Sequence, residues 1–337
     1  MGTEKENKSS AMGIAAQTPV PTPSGWKRAI DLREGDLVFT QLGTPQEVKS
    51  VQTYMADPCF RVHFDDGLSL DGDRHMTLPL QDKVYRDNLS EWLKNRGKKY
   101  AKPNRSPLRM RRVKDLHNKP LVFENNRKIW SVQNCLPVSY PWRDLPVQPY
   151  VFGAWFGSMT RTKKHLVAKE DVLRISKRLR QHGFMIVTGK VFGKGRTYIE
   201  FRPSVKDSFL FADALIPNEL PFYYIESAPE QRIELLEGLI DSGFFRKCPG
   251  VDRFSATRSH WGTIRRAQML VESLGYKTKM EKRDDKPGFR LSFSYTNKNT
   301  AFSRRYLVGI DKIKPRQCAH IITNEQFLAG EGFISVC

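Results

Sequence analysis

The sequence predicts an α+β protein, with a helix-led repeat in the middle of the chain and short strands near both ends. Three observations carry that expectation. One pattern occurs twice, as VFGAWFGSM at residues 151–159 and LEGLIDSGF at 236–244. Similar segments follow each copy, VLRISKRLRQHGF (172–184) and IRRAQMLVESLGY (264–276), each a helix ended by Gly and then strand, turn and strand. The first 80 residues and residues 315–337 carry short apolar segments broken by turn residues instead.

The elements follow in order. Residues 18–51 alternate apolar and polar positions between Pro and Gly, which predicts small antiparallel strands with tight turns. CFRVHFDDGLSLDGDRHMTLPL (59–80) reads as strand, turn at Asp66-Gly67 and strand, with His75 after polar residues. Residues 94–114 contain no acid and carry Tyr100 among their bases. Such a run is either a disordered arm or a loop that orders along a nucleic-acid groove. Its candidate phosphate contacts are Lys98, Lys99, Arg105, Arg109, Arg111 and Arg112. In the repeat, Gly153 with Gly157, and Gly238 with Ser242, lie four apart and share one helix face. Small residues there allow two helix backbones to pack closely. After the helices, GRTYIEFRP (195–203) and GFRLSFSY (288–295) alternate with period two. Arg196, Tyr198, Glu200 and Arg202 then share one face, with Arg290, Ser292 and Ser294 as counterparts. The segment 315–337 reads as strand, turn, strand.

Composition points to a polyanionic partner. Lys and Arg number 56 against 36 Asp and Glu, for a net charge of +20 and a pI near 9.8. Such an excess favours nucleic acid through phosphate contacts. No apolar run is long enough to span a bilayer, and the first 17 residues lack the apolar core of a secretory signal. No membrane association is expected. The Cys residues (59, 135, 248, 318 and 337) show neither a zinc spacing nor a disulfide framework. A reducing, cytoplasmic (intracellular) setting is the simplest reading.

The repeat, and above all LLEGLIDSGFF, resembles the LAGLIDADG homing endonucleases. That resemblance implies two motif helices packed at the centre of a pseudo-dimer, each presenting an acid to metal ions and DNA. It implies strands forming a saddle in the major groove, double-stranded DNA as partner, and Mg²⁺ as cofactor of an active enzyme. It also implies a monomer with internal pseudo-symmetry. The implied acids lie five residues after each motif Gly, at Ser158 and Gly243. Neither is a carboxylate. Asp241 matches the motif's other acid, and a re-registered loop would let it serve as the catalytic and metal-binding residue.

The flanks resemble the two ends of an intein, the Hint fold. TPVPTPSGW with DLREGDLVF, DGDRHMTLPL and QCAHIITNEQFLAGEGFI are similar to its blocks, in the right order. The implied architecture is a mostly-β Hint-like domain built from both chain ends, plus a pseudo-two-fold αββαββα endonuclease domain. The expected boundaries are a tail (1–17), an N-terminal Hint-like part (18–147) with a basic insertion near 80–120, the endonuclease-like domain (148–300) and a C-terminal Hint-like part (301–337). His75 matches the splicing His. Cys318 matches the nucleophile of relatives that lack one at their first residue, with His320 one strand step away. Thr77 stands where those relatives carry Trp. The position of the first intein residue falls near Gly13, and the final residues Phe333 to Cys337 include no Asn. Either the chain is cut short or splicing is incomplete. The expected function is an intein-type homing endonuclease, binding DNA and cutting it site-specifically with metal, weakened at its acids. The alternatives are a non-catalytic DNA-binding remnant and a splicing-competent intein using Cys318.

Overall fold

A computed structural model of the chain describes residues 13–83, 86–87, 108–157, 165–166, 172–183, 185–189, 198–202, 219–284, 287–295 and 303–337. Alternating apolar residues make strands with one buried face. The N-terminal part supplies β1 (Gly13–Ala15), β2 (Pro19–Thr22), β3 (Gly25–Arg28), β4 (Leu37–Phe39), β5 (Pro45–Glu47), β6 (Ser50–Ala56), β7 (Cys59–Phe64), β8 (Ser69–Asp73) and β9 (Thr77–Gln81). After these come β10 (Arg109–Arg112), α1 (Val113–His117) and β11 (Ser131–Gln133). The centre holds α2 (Pro149–Gly157), β12 (His165–Leu166), α3 (Val172–Gln181), β13 (Met185–Gly189), β14 (Tyr198–Arg202) and α4 (Phe222–Ile225). It continues with α5 (Pro229–Asp241), β15 (Arg246–Lys247), β16 (Phe254–Arg258), α6 (Trp261–Ser273), β17 (Thr278–Lys282) and β18 (Phe289–Phe293). The chain closes with β19 (Arg304–Ile313), β20 (Arg316–Ile322), β21 (Phe327–Ala329) and β22 (Ile334–Val336).

Two compact units result, one from residues up to 136 together with those from 299 onward, the other from 137–298. The first is built on a sheet ordered β10-β9-β11-β19-β7-β8-β1-β20-β6 among the described residues. Early and late strands therefore interleave. β1 lies between β8 and β20, with Ile14 opposite both Gly72 and Ala319. Val20, Val38, Val62, Leu70, Leu78, Val132, Leu307, Ile321 and Val336 share one core. Fully burying an aliphatic side chain of this kind contributes about 1.5–3 kcal/mol, so the two ends of the chain hold each other in place. β7 and β8 form the expected hairpin, and Gly67 supplies the positive φ of 87° that its turn requires.

Three expectations change. Residues 13–15 are not tail but strand, because Gly13 and Ala15 pair with His320 and Cys318 and are buried. Arg109–Arg112 is not loop but strand, paired with β9 through Arg109 opposite Leu80. The last segment makes three strands rather than two, since Gly330 turns the chain at φ +73° and β22 folds back on β21.

The second unit repeats itself in topology. β12-β14-β13 in its first half corresponds to β16-β18-β17 in its second, with β15 added at the edge. Each half is led by a motif helix and has a second helix ended by a Gly of positive φ, Gly183 and Gly275, both +83°. Arg232 sits fully buried on α5 and donates to the carbonyl oxygens of Ser227 and Ser273 at 2.8 Å, and to that of Val138. Its guanidinium also faces the Tyr140 ring. Backbone acceptors thus satisfy a buried charge that would otherwise be costly.

Candidate functional site

The two motif helices meet through their small residues. A Cβ added to Gly153 would fall on the Leu235 carbonyl oxygen, and one on Gly238 would fall on that of Tyr150. One on Gly157 would strike Ser242 Oγ. All four small residues therefore lie in the seam, where the backbones of α2 and α5 touch. Pro149 opens α2 and Pro229 opens α5, each at a position that needs no N–H donor. α5 stops at Ser242, and Gly243 follows at φ +79° with its amide on the Ile240 carbonyl at 3.0 Å. This left-handed stop explains the Gly where the resemblance implies an acid. Ser158 lies outside the described residues.

Asp241 accepts a hydrogen bond from Tyr150 Oη at 2.8 Å. Arg178 stacks on the same Tyr150 ring at 3.8 Å and pairs with Glu237 at 2.8 Å. Asp241 thus helps to tie α2 to α5. Among the described residues, no three His, Cys, Asp or Glu side chains gather as a metal site. Gly243 offers no ligand and Asp241 is engaged by Tyr150, so this half does not fit a divalent ion held by motif carboxylates.

In the second-half sheet, Arg290 pairs with Thr257 and Glu281, and Ser292 with Ser255 and Lys279. Arg290 and Lys279 are exposed, while Ser292 is covered. The opposite face buries Ala256, Leu291 and Phe293. That face carries exposed Arg290 together with a Lys279–Glu281 ion pair. In the first half Tyr198 and Arg202 lie on β14, opposite Gly189 and Met185, and Arg196 lies outside the described residues. Lys98, Lys99 and Arg105 also lie outside them. Of the remaining basic candidates, Arg109 pairs with Asp82 at 3.1 Å, Arg111 faces the Trp130 ring at 5.7 Å, and Arg112 is exposed.

The first unit gathers a different set. Asp73 Oδ1 accepts the amides of His75 and Met76 at 2.8 and 2.6 Å, and Oδ2 accepts Tyr54 Oη at 2.7 Å. This fixes the turn that carries His75, whose pKa burial lowers, with Asp73 opposing and Lys114, Arg112 and Arg74 adding to the fall. Cys318 is fully buried, with its Sγ 3.9 Å from that of Cys59. Burial, Cys59 and Asp73 all push its thiol pKa up. A Cβ on Gly13 would lie 3.2 Å from Cys318 Cβ, since β1 runs beside Cys318 in the sheet, with Ala15 as its direct partner. The Cys337 amide donates to the Thr77 carbonyl at 3.2 Å, beside the His75 turn. Tyr54, Asp73, Cys59, Tyr150 and Arg178 were not singled out from sequence. Only Cys59 carried a signal, as a second thiol.

No protein family's sequence profile matches the chain. It is 25% identical over 268 residues to the replicative DNA helicase DnaB of Mycobacterium intracellulare, across 78% of this chain and 42% of the helicase. The chain thus spans less than half the length of that curated relative. Among solved structures it is similar to the MchDnaB-1 intein (32% identity, 20% of this chain and 52% of the intein, TM-score 0.19). It is also similar to I-DmoI in complex with DNA and Mn (10% identity, 44% of this chain and 89% of I-DmoI, TM-score 0.32). The feature that decides the description is internal: both ends of the chain build one β unit, and the sequence between them builds a repeated unit. This chain resembles an intein interrupted by a LAGLIDADG endonuclease. In the intein-like unit His75, the Cys318–His320 strand and the start of β1 come from three distant segments brought into neighbouring strands and turns. In the endonuclease-like unit the seam is closely packed at its glycines, while Gly243, the one described acid position, carries no carboxylate.

Proposed function

We propose that the chain is an intein-type homing endonuclease that still binds duplex DNA and has lost most of its cleavage. The observation that carries this is the pairing of a glycine-packed motif seam with Gly243 at the acid position. Packing supports the DNA-binding platform, and the missing carboxylate removes the group that would hold a divalent ion. Exposed Arg290 on the second-half sheet, on a chain of net charge +20, supports the DNA partner. DnaB inteins among the similar structures suggest that the helicase match falls on an intein within that helicase. Splicing through Cys318 is not favoured, because a buried thiol with a raised pKa supplies little thiolate.

The test uses a randomised duplex library with Mg²⁺ and a salt series on the same samples. Binding should weaken steeply with salt, and double-strand breaks should be rare. Ser158→Asp with Gly243→Asp should raise breakage. Asp tolerates the left-handed region better than most residues, so the second change should cost only about 1 kcal/mol of stability. A folded, DNA-binding double variant with no added cleavage would sink the carboxylate-loss account. A flat salt response would sink the DNA-groove account.

A further inference from the structure

β1 begins with a residue that has no side chain, and the space a side chain would need is taken. A Cβ built on Gly13 would lie 2.5 Å from Tyr54 Oη, 3.1 Å from the Ala319 carbonyl oxygen and 3.2 Å from Cys318 Cβ. The last two are tight contacts that a small shift relieves. The first is an overlap. Tyr54 stands on β6 directly opposite Cys318 and packs against the cluster of Ala56, Cys59 and Cys318. Its hydroxyl donates to Asp73 Oδ2 at 2.7 Å. Asp73 is itself buried, and the amides of His75 and Met76 hold its Oδ1. Burial, and then the Asp73 carboxylate, raise the Tyr54 pKa, so the phenol keeps its proton and stays a donor. The tip of a free tyrosine swings aside at little cost. Here the swing would take a donor from a buried carboxylate, and hydrogen bonds to charged groups are among the stronger ones.

The intein-like blocks put the first intein residue near Gly13, the position where a nucleophilic side chain would start the reaction. We propose that Tyr54, fixed by Asp73, closes that position: its hydroxyl fills the space of the missing side chain, so a nucleophile at position 13 can act only once that oxygen is removed. Tyr54 is thus the residue that decides whether the intein-like unit can attack the peptide bond after Met12. This goes beyond the DNA-binding reading and rests on the intein resemblance for the identity of position 13. The competing account is that Tyr54 only stabilises the sheet through Asp73. Tyr54→Phe would then cost the same stability whatever stands at position 13.

The two accounts separate in experiments on the full chain. In Gly13→Cys the introduced thiol would attack the carbonyl carbon of the peptide bond after Met12. A C–S bond forms, the C–N bond breaks, and the thiol proton passes to the freed amine. Dithiothreitol then takes the acyl group from that sulfur and releases residues 1–12, which intact mass reads directly. Gly13→Cys alone should release them slowly, and Gly13→Cys with Tyr54→Phe about ten-fold faster or more. Equal, measurable release with and without Tyr54→Phe would overturn the closure. A melting cycle gives a readout independent of that chemistry. Gly13→Ala should lower the melting temperature by about 2–4 °C more in the chain that keeps Tyr54 than in Tyr54→Phe. An equal drop in both backgrounds would overturn the closure in favour of the purely structural account. Coupling in the melts with no release from the Gly13→Cys, Tyr54→Phe variant would instead overturn position 13 as the reacting position, and the intein-based half of the proposal would fail while the overlap stood.

Discussion

His75 and His320 both have their pKa lowered by burial, with the Asp73 carboxylate opposing. The unfolded chain therefore takes up protons first as pH drops below the ordinary histidine value of 6.5. Stability is full above that value and is lost as pH falls toward the lowered folded values. Melting temperature should drop between about pH 7.5 and about pH 5, and should drop less in a His75→Gln, His320→Gln double variant. Equal acid sensitivity in the two proteins would show that other groups control the transition. The same residues show what local pattern conveys. His75 was visible as a His after a polar turn, and Cys318 and His320 as one strand face. Their partners were not visible. Cys59 is 259 positions from Cys318, and Tyr54 19 from Asp73, and no periodicity encodes such pairings.

The helix pair α2–α5 is the element on which the second unit depends. Its i, i+4 small residues were readable because helical geometry alone puts them on one face. Gly153→Ala or Gly238→Ala would push a methyl group into the partner backbone. Such overpacking should destabilise the unit by roughly 1–3 kcal/mol, seen as a lower denaturant midpoint. An unchanged midpoint in both variants would mean that the helices part without cost. The Tyr150–Asp241 and Arg178–Tyr150 contacts at this seam were not readable, since they join segments 91 and 28 positions apart and depend on how side chains meet across the helix faces. The strand at Arg109–Arg112 was also hidden, because a run of bases resembles a loop until a neighbouring strand pairs with it.

At the scale of the whole molecule, the order of elements was legible, and the interleaving of strands from the two ends followed only from the family resemblance. One pairing has a direct consequence for engineering. β11 and β19 are hydrogen-bonded neighbours, with Gln133 opposite Arg304, and the Asn134 amide donates to the Ser303 carbonyl at 2.9 Å. The whole second unit is thus inserted between two adjacent strand ends. Replacing residues 137–298 with a short flexible linker should leave a cooperatively melting β protein, because closing a short loop between neighbouring strands costs little. Circular dichroism that shows an unfolded product would mean that the inserted unit is needed to hold the sheet.

The place of β1 between β8 and β20 also sets a timetable. A ribosome makes β1 and β8 early and β20 only after the entire inserted unit has emerged. Residues 137–298 are contiguous and have all their internal partners at hand by then, so they are free to fold as a unit during synthesis. The early strands must wait with one flank of β1 unpaired, exposed to neighbours of the wrong kind. Conditions that slow elongation should therefore lengthen the interval in which the nascent chain needs a chaperone, and the burden should fall on its first hundred residues rather than its last.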